Sequence, residues 1–213
     1  QHSQASHFIF CPTYYSDDPL LVTHFGSQPE HYLEDIGSSL DPAIDIFWTG
    51  PKVFSGTYPA QHLQEVTEKL KRKPLIWDNY PVNDAKRLTD FLHLEPFPNQ
   101  ASVMREFTSG HLANPMNQAF LSQLPLFSLS QYYQGNSATN LLQKACEALC
   151  PAALTTFILD DAPLFQQQGL AAMNEHDKQV YLDKYLSYAE HPIAKEIIEW
   201  LQGVYTFDPN CLT

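Results

Sequence analysis

Short apolar runs alternate with amphipathic stretches along the first half of the chain. The runs lie at 7–11, 44–48 and 75–77, and a less distinct one lies at 110–113. They are apolar without strict alternation, which is typical of buried strands in a parallel sheet. The segments between them are long enough for crossover connections, and 59–72 has helical spacing of its apolar residues. The pattern therefore predicts successive β-α-β units.

The pattern changes near Asn136, and the rest of the chain is mostly helical in character. Residues 117–133 have a helical pattern that Pro125 should kink, and 139–149 is a further predicted helix. Beyond Pro151, an apolar stripe with helical spacing consists of Ile193, Ile197, Ile198, Leu201 and Val204. We predict an α/β part over 1–135 and a helical part over 136–213.

Composition places the chain among globular proteins. Of its 213 residues, 44% are hydrophobic and 17% are charged, and the formal net charge is −12. This acidity argues against nucleic acid as a partner, because phosphate binding needs a basic face. No stretch approaches 18 uninterrupted apolar residues, so we expect no membrane span. The first ten residues lack the features of a secretory signal, which favours a cytoplasmic protein and leaves a mature secreted one open.

Cysteine and histidine give no signal for a metal or cofactor. The four cysteines are too few for a disulfide scaffold and are interpreted as small buried apolar side chains, which slightly favours a reducing compartment. The histidines are scattered without the spacing of a metal site, and His111 is interpreted as structural rather than ligand-contacting. We therefore predict no metal and no cofactor.

Polar side chains are concentrated where the predicted strands end, and the loop after 75–77 is the richest. Residues 78–84 contain two Asp, two Asn and a Tyr directly after Trp77. Amides and carboxylates beside an aromatic ring suit a sugar, whose face stacks on the ring while its hydroxyls form hydrogen bonds. The same residues also favour a capped turn, so this pattern alone leaves both interpretations open.

Four motifs occur in a fixed order: FCPTYY at 10–15, FWTGPKV at 47–53, IWDNYPVND at 76–84 and NPMN at 114–117. This ordered set resembles family 84 of the glycoside hydrolases, the O-GlcNAcases and related bacterial β-N-acetylglucosaminidases. The resemblance implies the C-terminal portion of a (β/α)8 TIM-type barrel followed by a helical segment. It also implies retaining hydrolysis assisted by the 2-acetamido group of the substrate, through an oxazoline.

The resemblance further implies a set of substrate-binding residues. Tyr15 would lie beside the acetamido group and Trp77 would wall its methyl pocket. Asn79 would bond the acetamido group or a catalytic carboxylate. Asp84 and Asn114 would hold sugar hydroxyls, with Asp84 the anchor of O4 and O6.

The adjacent Asp pair that performs the acid–base chemistry in this family precedes the first of the four motifs. We therefore expect it upstream of Gln1, with no catalytic residue in this chain and no activity of the chain alone. Asp17-Asp18 is interpreted as a turn before Pro19, and Asp160-Asp161 as a helix end or N-cap turn. No catalytic role is transferred to either pair.

Three interpretations of the function remain open. The first is part of an enzyme acting on a GlcNAc-bearing protein or glycan. The second is a non-catalytic GlcNAc-binding module, and the third is a helical interaction module. Part of a barrel would expose strand edges, so we expect association with the N-terminal half of the barrel or with a second copy of the chain.

Overall fold

The computed structural model describes residues 5–136 and 139–205, which fall into two compact units. The sheet unit comprises Gln1–Asn79 and Gln100–Ala113. The helical unit comprises Tyr80–Asn99 and Asn114–Thr213. The predicted domains, 1–135 and 136–213, rest on the change of sequence pattern and stay a prediction.

Four parallel strands form the sheet of the sheet unit and follow one another in chain order. They are β1 (Ile9–Phe10), β2 (Asp45–Trp48), β3 (Leu75–Asp78) and β4 (Gly110–Ala113). The helices of this unit are α1 (Pro19–Phe25), α2 (Tyr32–Ser39), α3 (Ala60–Leu70) and α4 (Ala101–Phe107). The predicted α/β fold with a parallel sheet is therefore confirmed.

Strand alternation divides the sheet into a buried face and a more exposed one. Ile46, Trp48 and Ile76 are buried, as are the apolar residues of α3 that the helical spacing predicts. On the other face Trp77 pairs with Leu112 in register, and both side chains are substantially exposed. The apolar runs predict buried strands, and within the described residues the sheet is buried on one of its two faces.

The first strand differs most from its prediction. The run 7–11 predicts a buried strand, but β1 has two residues, and Ile9 and Phe10 are 49% and 37% exposed. Among the described residues, β1 lies at the edge of the sheet and pairs only with β2, which explains its exposure. The turn predicted before Pro19 is instead the start of α1, with Asp18 as its N-cap and Pro19 at the first helical position.

The helical unit is built from α5 (Gln123–Tyr133), α6 (Leu141–Leu149), α7 (Ala152–Gln167), α8 (Glu175–Leu186) and α9 (Pro192–Leu201). The predicted stripe on α9 is buried in the core, except for Val204, which follows the helix and is exposed. Pro125 lies in the first turn of α5, where a missing N–H costs no intrahelical bond, so no kink is required.

The prediction of a helix end at Asp160-Asp161 was wrong. Both residues lie inside α7, and Asp161 is buried. Its carboxylate accepts hydrogen bonds from Lys184 Nζ at 2.8 Å and from the Tyr185 hydroxyl at 2.9 Å. These partners on α8 offset the cost of burying the charge, which a pattern confined to α7 does not reveal.

The described cysteines are free and differ in environment. Cys146 is buried, Cys150 is half-buried and Cys11 is exposed, while Cys211 lies outside the described residues. Burial raises the pKa of Cys146 to about 12, so its thiol is protonated at neutral pH and behaves as an apolar side chain. The interpretation as small buried side chains therefore holds for Cys146 and is wrong for Cys11. In 5–136 and 139–205, no helix combines the length and apolar character needed to cross a membrane.

Candidate functional site

The loops that follow β1, β2 and β3 are joined to one another by hydrogen bonds. The backbone N–H of Thr49 donates to the carbonyl of Tyr15 at 2.8 Å. The side-chain amide of Asn79 donates to the carbonyl of Val53 at 2.9 Å, and the N–H of Val53 donates to Asp18 Oδ2 at 3.1 Å. Three loops at the carboxyl ends of parallel strands therefore meet at one edge of the sheet, which is where binding sites form in such sheets.

Trp77 and Asn79 form the central pair of this edge. The Trp77 indole is 38% exposed and packs edge-to-face on Phe47, with ring centroids 4.9 Å apart. Its N–H donates to Asn79 Oδ1 at 2.9 Å, and Asn79 is 6% exposed. An indole N–H only donates and the Val53 carbonyl only accepts, so the orientation of the Asn79 amide is fixed. An accessible ring thus lies beside an amide of defined polarity.

A carboxylate holds the neighbouring loops. Burial by itself acts to raise the pKa of Asp18, but the backbone N–H groups of Leu20 and Val53 and the charge of Lys52 lower it below the ordinary value. The ionised form is therefore the stable one, and it binds both the start of α1 and the loop after β2.

A buried pair supports the strands beneath the site. Asp78 and His111 lie next to Trp77 and Leu112 in the chain, on the opposite face of the sheet. Asp78 Oδ2 is 3.1 Å from His111 Nε2, and both side chains are nearly inaccessible. The structural interpretation of His111 agrees with this arrangement.

The helical unit holds the other two predicted residues. Asp84 and Asn114 are both half-buried. Asp84 lies within the first segment of this unit, Tyr80–Asn99, and Asn114 begins the second. Asn83, directly before Asp84, accepts a hydrogen bond from the N–H of Asn117 at 3.0 Å. The two segments are therefore attached to each other. Tyr15, Trp77 and Asn79 belong to the sheet unit, and the common role of the five residues in binding stays a prediction.

Sequence reasoning missed the residues that connect these loops. Asp18 carries a recognisable signal, because an Asp directly before a Pro is typical of a helix start. Val53 contributes through its backbone, for which a side-chain pattern gives no signal. Asn83 lies within a predicted motif, but its partners Asn117 and Gln118 are distant in the sequence. In the described part of the chain, no group of three or more His, Cys, Asp and Glu side chains is placed to hold a metal ion.

Residues 1–157 match the model of the β-N-acetylglucosaminidase family. This match covers more than half of the 213 residues. The chain belongs to this family. The resemblance to glycoside hydrolase family 84 is therefore confirmed.

Proteins similar to this chain include the protein O-GlcNAcases of Mus musculus and Rattus norvegicus. Each is 33% identical over 129 residues, which is 61% of this chain and 14% of the relative. A solved structure of a mutant O-GlcNAc hydrolase from Thermobaculum terrenum is also similar. It is 27% identical, with a TM-score of 0.66 over 93% of this chain and 41% of that one. This chain thus spans less than half of the length of each of these relatives.

Proposed function

We propose that this chain is part of a retaining enzyme that removes terminal β-linked GlcNAc from a protein or glycan. The observation that carries the proposal is the Trp77–Asn79 pair at the carboxyl end of β3, in a chain of the β-N-acetylglucosaminidase family. An exposed indole offers a surface for an acetamido methyl group, and an oriented amide offers polar contacts beside it.

We propose a barrel setting for this site. Parallel strands in chain order with helices between them are the arrangement of a (β/α)8 barrel, whose sites lie at the carboxyl ends of its strands. In this proposal β1–β4 form the C-terminal portion of the barrel, and the helices from α5 onward form a segment that follows it. The exposed face that bears Trp77 and Leu112 would then line the barrel interior.

The proposed chemistry is assisted by the substrate. The oxygen of the 2-acetamido group forms a bond to C1 while the bond from C1 to the leaving oxygen breaks. One Asp of the family's pair orients the acetamido group, and the other protonates the leaving oxygen. That second Asp then takes a proton from the water that opens the oxazoline. Tyr15, Trp77 and Asn79 would hold the acetamido group, and Asp84 and Asn114 the hydroxyls.

One member of each Asp pair of this chain is already bound to other parts of the fold. Asp18 caps α1 and binds the Val53 N–H, and Asp161 is buried against Lys184. We therefore place the catalytic pair in the polypeptide before Gln1 and expect the 213-residue chain to bind sugar without hydrolysing it.

The test is hydrolysis of an aryl N-acetyl-β-glucosaminide by the whole gene product and by the 213-residue chain. We expect turnover by the whole protein alone, and at least about a tenfold loss of kcat/KM in its Asp84→Ala variant, from a lost buried sugar contact. The matched control is Asp160→Ala on α7, an exposed carboxylate that we expect to leave the kinetics unchanged.

Each outcome decides a separate part of the proposal. Turnover by the 213-residue chain would contradict the location of the catalytic pair. Unchanged kinetics in Asp84→Ala would contradict the assignment of Asp84. A whole protein that binds a GlcNAc-derived inhibitor without any turnover would be a non-catalytic GlcNAc-binding module.

A further inference from the structure

A buried amide, Asn83, lies between the two segments of the helical unit that carry Asp84 and Asn114. It is 1% exposed and precedes Asp84 directly in the chain. Its side chain crosses from the 80–99 segment to the segment that begins at Asn114. The placement of Asp84 relative to Asn114 therefore depends on what Asn83 binds.

Three hydrogen bonds occupy the Asn83 amide. Its Nδ2 donates to Gln118 Oε1 at 2.8 Å and to the carbonyl of Phe91 at 3.0 Å. Its Oδ1 accepts from the N–H of Asn117 at 3.0 Å. The Phe91 carbonyl only accepts and the Asn117 N–H only donates, so an inverted amide would lose these bonds. The group is thus committed to the protein and acts through its neighbours.

One further bond, from His93 to Met116, joins the same two segments, and two others each lie within one segment. The carbonyl of Asn83 accepts from the Thr89 hydroxyl at 3.0 Å, which fixes the backbone next to Asp84. The N–H of His93 donates to the Met116 sulfur at 3.2 Å, and the N–H of Met116 donates to Ser122 Oγ at 3.0 Å. Asn83 is adjacent to Asp84 in the chain, whereas His93 lies nine positions from it.

We propose that Asn83 is a positioning residue that holds Asp84 and Asn114 at the separation required by the sugar hydroxyls. This inference rests on the proposed function, because it assumes that Asp84 and Asn114 bind those hydroxyls. A shift of about 1 Å in a positioned group is enough to lower catalytic efficiency about a hundredfold. Loss of the Asn83 bonds should therefore weaken recognition of the hydroxyls without removing Asp84 itself.

The experiment compares two substrates in the whole gene product: an aryl N-acetyl-β-glucosaminide and its 4-deoxy analogue. We expect Asn83→Ala to lower kcat/KM for the parent substrate about tenfold or more and to change it little for the analogue. The preference for the parent substrate then falls by about the same factor. A residue that only stabilises the fold would affect both substrates alike.

The matched control is Gln166→Ala. Gln166 Oε1 accepts from the N–H groups of Leu94 and Glu95, both at 2.7 Å, and so holds the same 80–99 segment far along the chain from Asp84. We expect this variant to lose stability but to keep its substrate preference. Gln118→Met removes a single partner of Asn83 and should lower the preference for the parent substrate less than Asn83→Ala does. It replaces Asn83→Ala in the experiment if that variant does not fold.

The same two substrates are also measured with the Asp84→Ala variant. This comparison distinguishes an error in the positioning role of Asn83 from an error in the proposed function. If Asp84→Ala loses the preference and the folded Asn83 or Gln118 variant keeps it, the positioning role is wrong. An equal loss on both substrates in the Asn83 variant also overturns that role. If Asp84→Ala keeps the preference, the error lies in the proposed function, because Asp84 then does not bind the hydroxyl.

Discussion

The indole nitrogen of Trp77 donates a hydrogen bond to Oδ1 of Asn79 at 2.9 Å, and this bond relates an exposed ring to a buried amide. The other end of the amide is held by the carbonyl of Val53. Because the two residues are separated by one position in the chain, the bond also sets the course of the backbone where β3 ends. The polarity of the candidate site is thus defined before any ligand binds.

The first prediction concerns Asn79→Asp, which replaces a donor by an oxygen facing the Val53 carbonyl. Burial should raise the pKa of the new carboxyl above about 3.9, its ordinary value, while the unfolded chain ionises normally. The loss of stability should therefore grow as the pH rises from about 4, reaching about 3 kcal/mol near neutrality. Urea unfolding across that range measures it. Asn117→Asp, at an exposed position, is the control, and a deficit independent of pH would contradict the argument.

The second prediction uses the neighbours Asp160 and Asp161 as a matched pair. Asp161→Asn leaves the Lys184 ammonium without its counter-charge. Lys184 is 24% exposed, so water relieves part of the cost, and we expect a loss of about 2 kcal/mol rather than the about 3–5 of a fully buried pair. Asp160→Asn, on the exposed side of α7, should change the free energy of unfolding by less than about 0.5 kcal/mol. Similar losses in both variants would show that the ion pair contributes nothing.

The sequence predicts β2, β3 and β4 well and β1 poorly, for a physical reason. β2 and β3 follow the apolar runs to within a residue, since both are ended by polar or turn-forming residues. The run at 7–11 is equally apolar, yet burial depends on neighbours on both sides, and β1 has one. Likewise, three apolar residues precede Asp160-Asp161 in the chain, while the partners of buried Asp161 lie 23 and 24 positions further on.

The candidate site shows the same limit. Trp77 and Asn79 are found from a motif because their side chains carry the chemistry. The link from Asn79 to the loop after β2 runs through a backbone carbonyl, which every residue possesses. Only the folded chain shows that Val53 supplies it.

The third prediction concerns pH and His62. The Trp48 indole donates to His62 Nε2 at 3.0 Å, so the ring proton lies on Nδ1, 3.6 Å from Asp17 Oδ2. Burial lowers the pKa of His62 below its ordinary 6.5, and the charge of Lys69 lowers it further. The charges of Asp17 and Glu65 act to raise this pKa but do not outweigh burial. The neutral ring therefore stabilises the fold above pH 6.5, and this contribution is lost as the pH falls through the lowered pKa.

His62→Gln should remove this pH dependence, because an amide oxygen still accepts from Trp48 but does not titrate. Urea unfolding between about pH 7 and about pH 5 measures the difference between the variant and the parent chain. The exposed His24→Gln variant should keep the slope of the parent. If the parent and His62→Gln lose stability in parallel, His62 does not carry the effect.

Arg72 caps the C-terminal end of α2, which is distant from it in the chain. Its guanidinium donates to backbone carbonyls at and beyond the end of α2 and to one at the end of α3, namely Gly37, Leu40, Asp41, Ile44 and Leu70. The last carbonyls of a helix have no intrahelical donor, so a side chain with several N–H groups in one plane satisfies them.

The fourth prediction is that Arg72→Lys destabilises the chain although it keeps the charge. An ammonium group has three donors on one atom and does not reach this spread of carbonyls, so several lose their partner at a cost of about 2 kcal/mol in the free energy of unfolding. Lys73→Gln, at the exposed neighbouring position, removes a charge instead and should cost less than about 0.5 kcal/mol. Urea unfolding of both variants measures their free energies of unfolding. The comparison shows whether the planar geometry of the Arg72 guanidinium or a positive charge in this region stabilises the chain. An Arg72→Lys chain as stable as the parent would show that the charge alone suffices, because the planar fork is all that the substitution removes.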